Sequence, residues 1–353
     1  MPLISFILFI SVAWSQELPK FLTKHSPDTL RYISMDGRTA YVQKKPGVLG
    51  FVNSFKSVDF LTETSASDFI LTGSPDKIKL AIEVVSNPHT EYNLLKNNKI
   101  IVVNWGNTQT KDVGFGRSPK LHLKDEWITY YDAYDKMLHI QNISTQKKFE
   151  IKLAAKANPF FIPEVVMVAQ DNVTYTDINE NGFVALITFN LSTKVSTVIY
   201  RSPQSGTKLE LCRNDGYVAV GEFPYEGISR GSKIMHIKLS SETNLAGYTT
   251  IYNTVDQDLG NMVCHPTAIF FIKTMSQEKK LNTKTTDAVR LDLKTHKIEA
   301  KTSEGNITQL IEMDGRVMIA FRGDFYVIEG ISNLSSDTLK AVPTSKEELP
   351  LDI

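Results

Sequence analysis

The stretch Ser74-Pro75-Asp76-Lys77, with the run Ile78-Lys79-Leu80-Ala81-Ile82 behind it, decides the fold. Proline presets the backbone of a tight turn, and aspartate accepts hydrogen bonds from the backbone just ahead of it, so the first four residues reverse the chain. The run that follows alternates apolar and polar or small residues, the period of a strand. The same order returns at Met35-Asp36-Gly37, Lys124-Asp125-Glu126, Gln170-Asp171-Asn172, Asn214-Asp215-Gly216 and Met313-Asp314-Gly315, each leading into an apolar alternation. His265-Pro266-Thr267 before Ala268-Ile269-Phe270-Phe271 is a degenerate copy that fills the one gap. The key positions 36, 76, 125, 171, 215, 267 and 314 are separated by 40, 49, 46, 44, 52 and 47 residues. A period of this length, made of period-2 strands around tight turns, predicts the blades of a β-propeller.

Each repeat reads as four strands. After the turn and its strand come a third and a fourth, such as 136–141 with 148–153, 185–190 with 195–200, 233–239 with 248–252, and 288–293 with 297–301. Val, Ile, Tyr, Phe and Thr dominate them, as pleated surfaces prefer. No amphipathic helix of three or more turns is apparent. The expectation is an all-β chain: a single seven-bladed propeller of four-stranded antiparallel blades, with six or eight blades as alternatives. The blades fall at about 25–64, 65–117, 118–158, 159–204, 205–256, 257–303 and 304–345. The last blade takes its fourth strand either from 338–342 or from residues 16–24, the second option closing the ring.

The chain has 353 residues, 39 Lys plus Arg against 39 Asp plus Glu, and 42% hydrophobic residues. A net charge of zero without a polybasic tract supplies no field for nucleic acid or an acidic membrane. Leu3 to Ala13 is an uncharged apolar run, and Ala13-Trp14-Ser15 puts small residues where a signal peptidase reads. Residues 1–15 are therefore expected to be a signal peptide cleaved before Gln16, although no Lys or Arg precedes the run. The run is too short to span a bilayer. The protein is expected to be exported, periplasmic or secreted, without membrane insertion, ending in a flexible acidic tail at 346–353.

The turns resemble the Ser-Pro-Asp-Gly repeat of the TolB-type β-propellers. Ser74-Pro75-Asp76-Lys77 is the nearest copy, and the Asp-Gly pairs at 36–37, 215–216 and 314–315 agree. The resemblance spans about residues 29–330 and implies the propeller part only, because too few residues precede the first repeat for TolB's separate α/β domain. Propellers of this kind serve as protein scaffolds, lyases and accessory domains of peptidases, so the resemblance implies a fold and leaves the activity open.

No catalytic set is complete. Gly227-Ile228-Ser229-Arg230-Gly231 copies a nucleophile elbow, but an alternating strand follows where the elbow needs a helix. Asp177-Ile178-Asn179-Glu180-Asn181-Gly182 copies the first half of a calcium loop, with Asp177, Asn179 and Asn181 as ligands, yet position 12 is Thr188. A polar turn is the plainer reading, and no cofactor is expected. No pair among the seven histidines has zinc spacing. Cys212 and Cys264 occupy equivalent positions in neighbouring repeats, and His122 shares that rung. Two readings stay open for the cysteines: a disulfide in an oxidising compartment, or two buried thiols. The sequons at Asn142, Asn172, Asn190, Asn306 and Asn333 are meaningful only on a eukaryotic secretory route.

Propellers bind on the face formed by the second-to-third strand turns and the blade-to-blade connections. There the sequence places Asp132, Tyr134 and Asp135, then Asp177 and Glu180, then Glu222, Phe223, Tyr225 and Glu226, with Trp105, Phe160 and Phe161 in connections. Lys273, Lys279, Lys280 and Lys284 flank them. Aromatic anchors in a charged rim suit a protein or peptide partner. The expected function is an exported, non-enzymatic binding scaffold. The alternative is an enzyme acting on a carbohydrate or small ester in the central channel, with His122 as its candidate group.

Overall fold

The computed structural model describes residues 30–33, 39–53, 57–63, 65–73, 79–86, 97–104, 110–123, 126–154, 161–214, 216–224, 232–238, 248–254, 257–276, 284–300, 307–313, 316–321 and 324–327. These residues form strands and turns, and no helix occurs among them. The first sheet is β1 (Leu30–Ile33), β2 (Thr39–Lys45), β3 (Val48–Asn53) and β4 (Ser57–Thr62). The second has seven strands: β5 (Asp68–Gly73), β6 (Lys79–Val85), β7 (Asn98–Asn104), β8 (Thr110–His122), β9 (Trp127–Asp132), β10 (Met137–Asn142) and β11 (Lys148–Lys152). Four-stranded sheets follow: β12 (Val165–Ala169), β13 (Asn172–Ile178), β14 (Phe183–Asn190) and β15 (Ser196–Ser205); then β16 (Thr207–Asn214), β17 (Tyr217–Pro224), β18 (Ser232–Lys238) and β19 (Thr249–Thr254). After them come β20 (Gln257–His265), β21 (Ala268–Ser276), β22 (Lys284–Asp292) and β23 (Ile298–Ala300), and a three-stranded sheet of β24 (Ile307–Met313), β25 (Arg316–Phe321) and β26 (Asp324–Val327).

Every sheet is an antiparallel meander in chain order. Each of the seven key positions lies between the first two paired strands of a repeat: β1–β2, β5–β6, β8–β9, β12–β13, β16–β17, β20–β21 and β24–β25. The first strands also touch one another in succession, β1 with β5, β5 with β8, β8 with β12, β12 with β16, β16 with β20 and β20 with β24. The residues proposed for the signal peptide, the acidic tail and both candidate closing strands lie outside the described ones.

The sheets stack face to face, which explains an apolar pattern denser than simple alternation. Middle strands are covered on both sides: β6 buries Leu80, Ile82 and Val84 against Leu49 of the first sheet, and turns Ala81 toward Ile128 and Tyr130. Such strands read as near-continuous apolar runs. Fourth strands sit outermost, and β11 alternates exposed Lys148, Glu150 and Lys152 with covered Phe149 and Ile151. A fully buried Leu, Ile or Phe contributes about 1.5–3 kcal/mol.

One join departs from the four-stranded pattern. Strands β5 to β11 form one sheet because β8 runs on from β7 to β9. Its first half pairs with β7 as far as Gly116, and from Arg117 it pairs with β9. The changeover carries an irregular register between Arg117 and Lys120 and a positive φ of 48° at Ser118. The buried Glu83 carboxylate holds it, accepting the Ser118 amide hydrogen at 2.8 Å and an Asn98 side-chain hydrogen at 2.6 Å.

A second recurring turn joins third to fourth strands. Asn142, Asn190 and Asp292 each use Oδ1 to accept the amide hydrogens two and three residues ahead, at 2.8–3.1 Å. Each turn ends in a residue of positive φ, Gln146, Lys194 and His296. The sequons at Asn142 and Asn190 are thus parts of a turn, and Asn172 is buried and accepts a hydrogen from the Asn190 side chain at 3.1 Å. Asn306 and Asn333 lie outside the described residues.

Candidate functional site

The β9–β10 turn is built by Asp132. Its Oδ1 accepts the amide hydrogens of Tyr134 at 2.8 Å and Asp135 at 3.0 Å, closing an Asx turn. Asn97, just ahead of β7, accepts the Ala133 amide hydrogen at 2.9 Å, which ties the turn to the neighbouring repeat. Burial pushes the Asp132 carboxyl up, but the hydrogen bonds from Asn97 and the two amides outweigh it, and the group stays below its ordinary value. Asp132 is therefore ionised at neutral pH. Tyr134 and Asp135 project into solvent.

The β13–β14 turn uses the same chemistry. Asn179 Oδ1 accepts the amide hydrogens of Asn181 and Phe183, each at 3.0 Å, and Gly182 takes a φ of 77°. Glu180 is exposed at its tip. Asp177 differs from expectation: it is buried, accepting hydrogens from the amides of Ala154 and Ile178, both at 2.8 Å. The oxygens that a calcium ion would use on Asp177 and Asn179 thus serve backbone amides. Among the described residues no group of three His, Cys, Asp or Glu could hold a metal ion.

Glu222, Phe223 and Phe161 also depart from the expected exposed rim. Phe223 and Phe161 are buried in the core, because strand β17 continues through Pro224 and Phe161 packs in the cluster that holds Val165 and Tyr175. Glu222 is buried under β15. It accepts hydrogens from Tyr200 Oη and Ser202 Oγ, each at 2.5 Å, and pairs with Lys233 Nζ at 2.7 Å. Lys233 also donates to Tyr200 Oη, and Thr207 Oγ1 donates to Ser202 Oγ at 2.9 Å. Burial first, then the Glu222 carboxylate, raise the Tyr200 hydroxyl well above its ordinary value. Sequence reading missed this network, since an acid near a strand end looks like a loop acid. Trp105, Phe160, Tyr225 and Glu226, with the Gly227–Gly231 stretch, lie outside the described residues.

A line of cross-sheet contacts runs along the first strands. His122, at the end of β8, lies 2.9 Å from Thr129 Oγ1 through Nε2 and accepts the Met167 amide hydrogen of β12 at 3.4 Å through Nδ1. Arg213 of β16 donates to the Met167 carbonyl oxygen. The next residue back, Cys212, is disulfide-bonded to Cys264 of β20, with Cα atoms 5.5 Å apart. Burial, then the nearby Lys120 and Arg213, push the His122 ring down to about 3. The ring is neutral, 6% exposed and engaged at both nitrogens, which unsuits it to proton transfer in a channel.

By sequence, the chain matches no protein family and no curated protein. By structure it is similar to the tricorn protease at 9% identity and a TM-score of 0.56, over 86% of this chain and 34% of that one. The β-propeller domain of the trilobed protease from Pyrococcus furiosus matches at 12% identity and a TM-score of 0.54, over 83% and 92% of the two chains. The β-propeller domain of Myceliophteria thermophila Cps50 (Swd1) matches at 10% identity and a TM-score of 0.53, over 84% and 93%. At such identities the likeness shows the fold alone: the chain is a β-propeller. No helix among the described residues is long and apolar enough to cross a membrane.

Proposed function

We propose that this chain is an exported seven-bladed β-propeller that acts as a binding scaffold for a protein partner rather than as a catalyst. The blade count follows if the two halves of β8 are read as the outer strand of one blade and the inner strand of the next. The observation that carries the binding reading is the β9–β10 turn, where hydrogen bonds to Asp132 and Asn97 fix the backbone that presents Tyr134 and Asp135 to solvent. An aromatic on a fixed backbone with a charged neighbour costs less order on binding, as partner anchors require. The disulfide fits an oxidising compartment.

The test is affinity capture from cell-envelope extracts with wild type and Tyr134→Ser. A defined protein retained by wild type and lost by the variant supports the reading; capture indifferent to Tyr134 removes this face. Export is tested separately by sequencing the amino terminus of the mature protein, which is expected to begin at Gln16.

A further inference from the structure

Asn181-Gly182 is the one place in the chain where glycine follows asparagine. The pair sits at the tip of the β13–β14 hairpin. There the Gly182 amide donates to the Asn179 carbonyl oxygen at 3.0 Å, and the Asn179 amide donates to the Phe183 carbonyl oxygen at 3.1 Å. With Gly182 at a φ of 77°, this is a type I turn closed by a glycine bulge. The left-handed backbone at 182 favours glycine, because a side chain there is strained whatever room it has. The turn therefore keeps an unshielded amide nitrogen directly after an asparagine.

Asn181 is exposed, and its side-chain amide makes no hydrogen bond among the described residues. Other asparagines of these repeats differ on both counts. Asn142 and Asn190 hold backbone amides through Oδ1, and Asn172 accepts a hydrogen from Asn190. Branched residues follow them, Ile143, Leu191 and Val173, and crowd the next amide nitrogen. Asn181 alone of these four combines an untied carboxamide with a following residue that has no side chain.

We infer that Asn181 is a site of spontaneous deamidation, through which the folded protein gains a carboxylate at this turn. The Gly182 amide nitrogen gives up its proton and bonds to the Asn181 side-chain carbonyl carbon. The bond from that carbon to the side-chain nitrogen breaks, and the nitrogen leaves as ammonia with the proton. Solvent water then opens the succinimide. Opening at the side-chain carbonyl leaves aspartate; opening at the main-chain carbonyl leaves isoaspartate, whose backbone runs through an extra methylene. The sum is asparagine plus water giving acid plus ammonia, with nothing oxidised or reduced. The turn guards the site. Gly182 holds its hydrogen against the Asn179 carbonyl, and Asn179 Oδ1 accepts the Asn181 and Phe183 amide hydrogens, each at 3.0 Å. Attack waits on opening of this turn, which at an exposed hairpin tip costs far less than unfolding the chain. The inference is independent of the scaffold reading, and either stands without the other.

The test holds the purified protein in warm, mildly alkaline buffer and maps its peptides by mass spectrometry, with fragmentation to assign the residue and enzymatic methylation to count isoaspartate. In folded wild type, Asn181 is expected to convert to a mixture of aspartate and isoaspartate while Asn142, Asn172 and Asn190 stay intact. Asn179→Ala removes the side-chain acceptor that closes the turn, and is expected to convert at Asn181 roughly 5-fold faster. In Gly182→Ala the added Cβ would meet only Ser205 Cβ, at 3.7 Å, so the variant is expected to fold. Its methyl crowds the attacking nitrogen and is expected to slow conversion by roughly 10-fold. Melting curves confirm folding of both variants. The inference is overturned if folded wild type stays intact at Asn181 while the urea-unfolded chain converts there. Conversion spread evenly over the asparagines overturns it too, as does an unchanged rate in either variant.

Discussion

His122 spends its two ring nitrogens on Thr129 within its own sheet and on the Met167 amide of the next. Its pKa of about 3 in the folded chain lies well below the 6.5 of a free histidine. The unfolded chain therefore takes up a proton first as pH falls, so stability is full above pH 6.5 and declines steadily down to about pH 3. Between pH 7 and 5 the loss from this residue is about 2 kcal/mol. His122→Gln, which keeps a donor and an acceptor, is expected to flatten the pH dependence of the urea midpoint over that range. Glu222 supplies a second residue-scale test. Glu222→Ala leaves Lys233, Tyr200 and Ser202 without their common acceptor, and is expected to lower stability by about 3 kcal/mol in denaturant titration. The shared rung of His122, Cys212 and Cys264 was legible by counting back from the turns. The burial of Asp177, Glu222 and Phe223 was not. An acid near a strand end has one appearance in sequence whether it meets water or a neighbouring strand's amides, and only the packing of adjacent repeats separates the two cases.

Strands were the most legible elements, because tight turns and period-2 runs are local signals that neighbouring sheets then reinforce. The third-to-fourth strand turns are less legible. Yet Asn142-Ile143-Ser144-Thr145, Asn190-Leu191-Ser192-Thr193 and Asp292-Leu293-Lys294-Thr295 share a pattern, an Asx residue followed by an aliphatic one and then threonine at the fourth place. In each, the aliphatic residue's amide donates back to the preceding hairpin, at Glu126, Asp171 and Thr267 respectively. The pattern thus ties two turns of one repeat together. Asp292→Ala removes the acceptor for Lys294, Thr295 and the Thr295 hydroxyl, and is expected to cost about 1 kcal/mol, read as a shifted denaturation midpoint. The Thr295 amide, then the Thr295 hydroxyl, hold the Asp292 carboxyl down at about 2, so the effect persists across neutral and mildly acidic pH.

At the scale of the molecule, successive sheets are separate ladders, so their seams rely on side chains. The Cys212–Cys264 bond crosses one such seam and closes a separation of 52 residues. A double Cys→Ser variant is expected to lose about 4 kcal/mol and roughly 5 °C in melting temperature, and reductant is expected to reproduce that loss in wild type only. The period of 40–52 residues made the repeat architecture legible, but the chain's own turns could not reveal that β8 serves two partners. A break in a strand is visible in sequence only when a turn residue pays for it, and Ser118-Pro119 looks the same whether the ladder ends there or changes sides. That continuity means the structural period and the unit of opening need not coincide. Hydrogen exchange should find β5 through β11 releasing their amides together, as one double-sized block. The other sheets would release theirs singly, and a lesion at Glu83 would be felt as far away as β11.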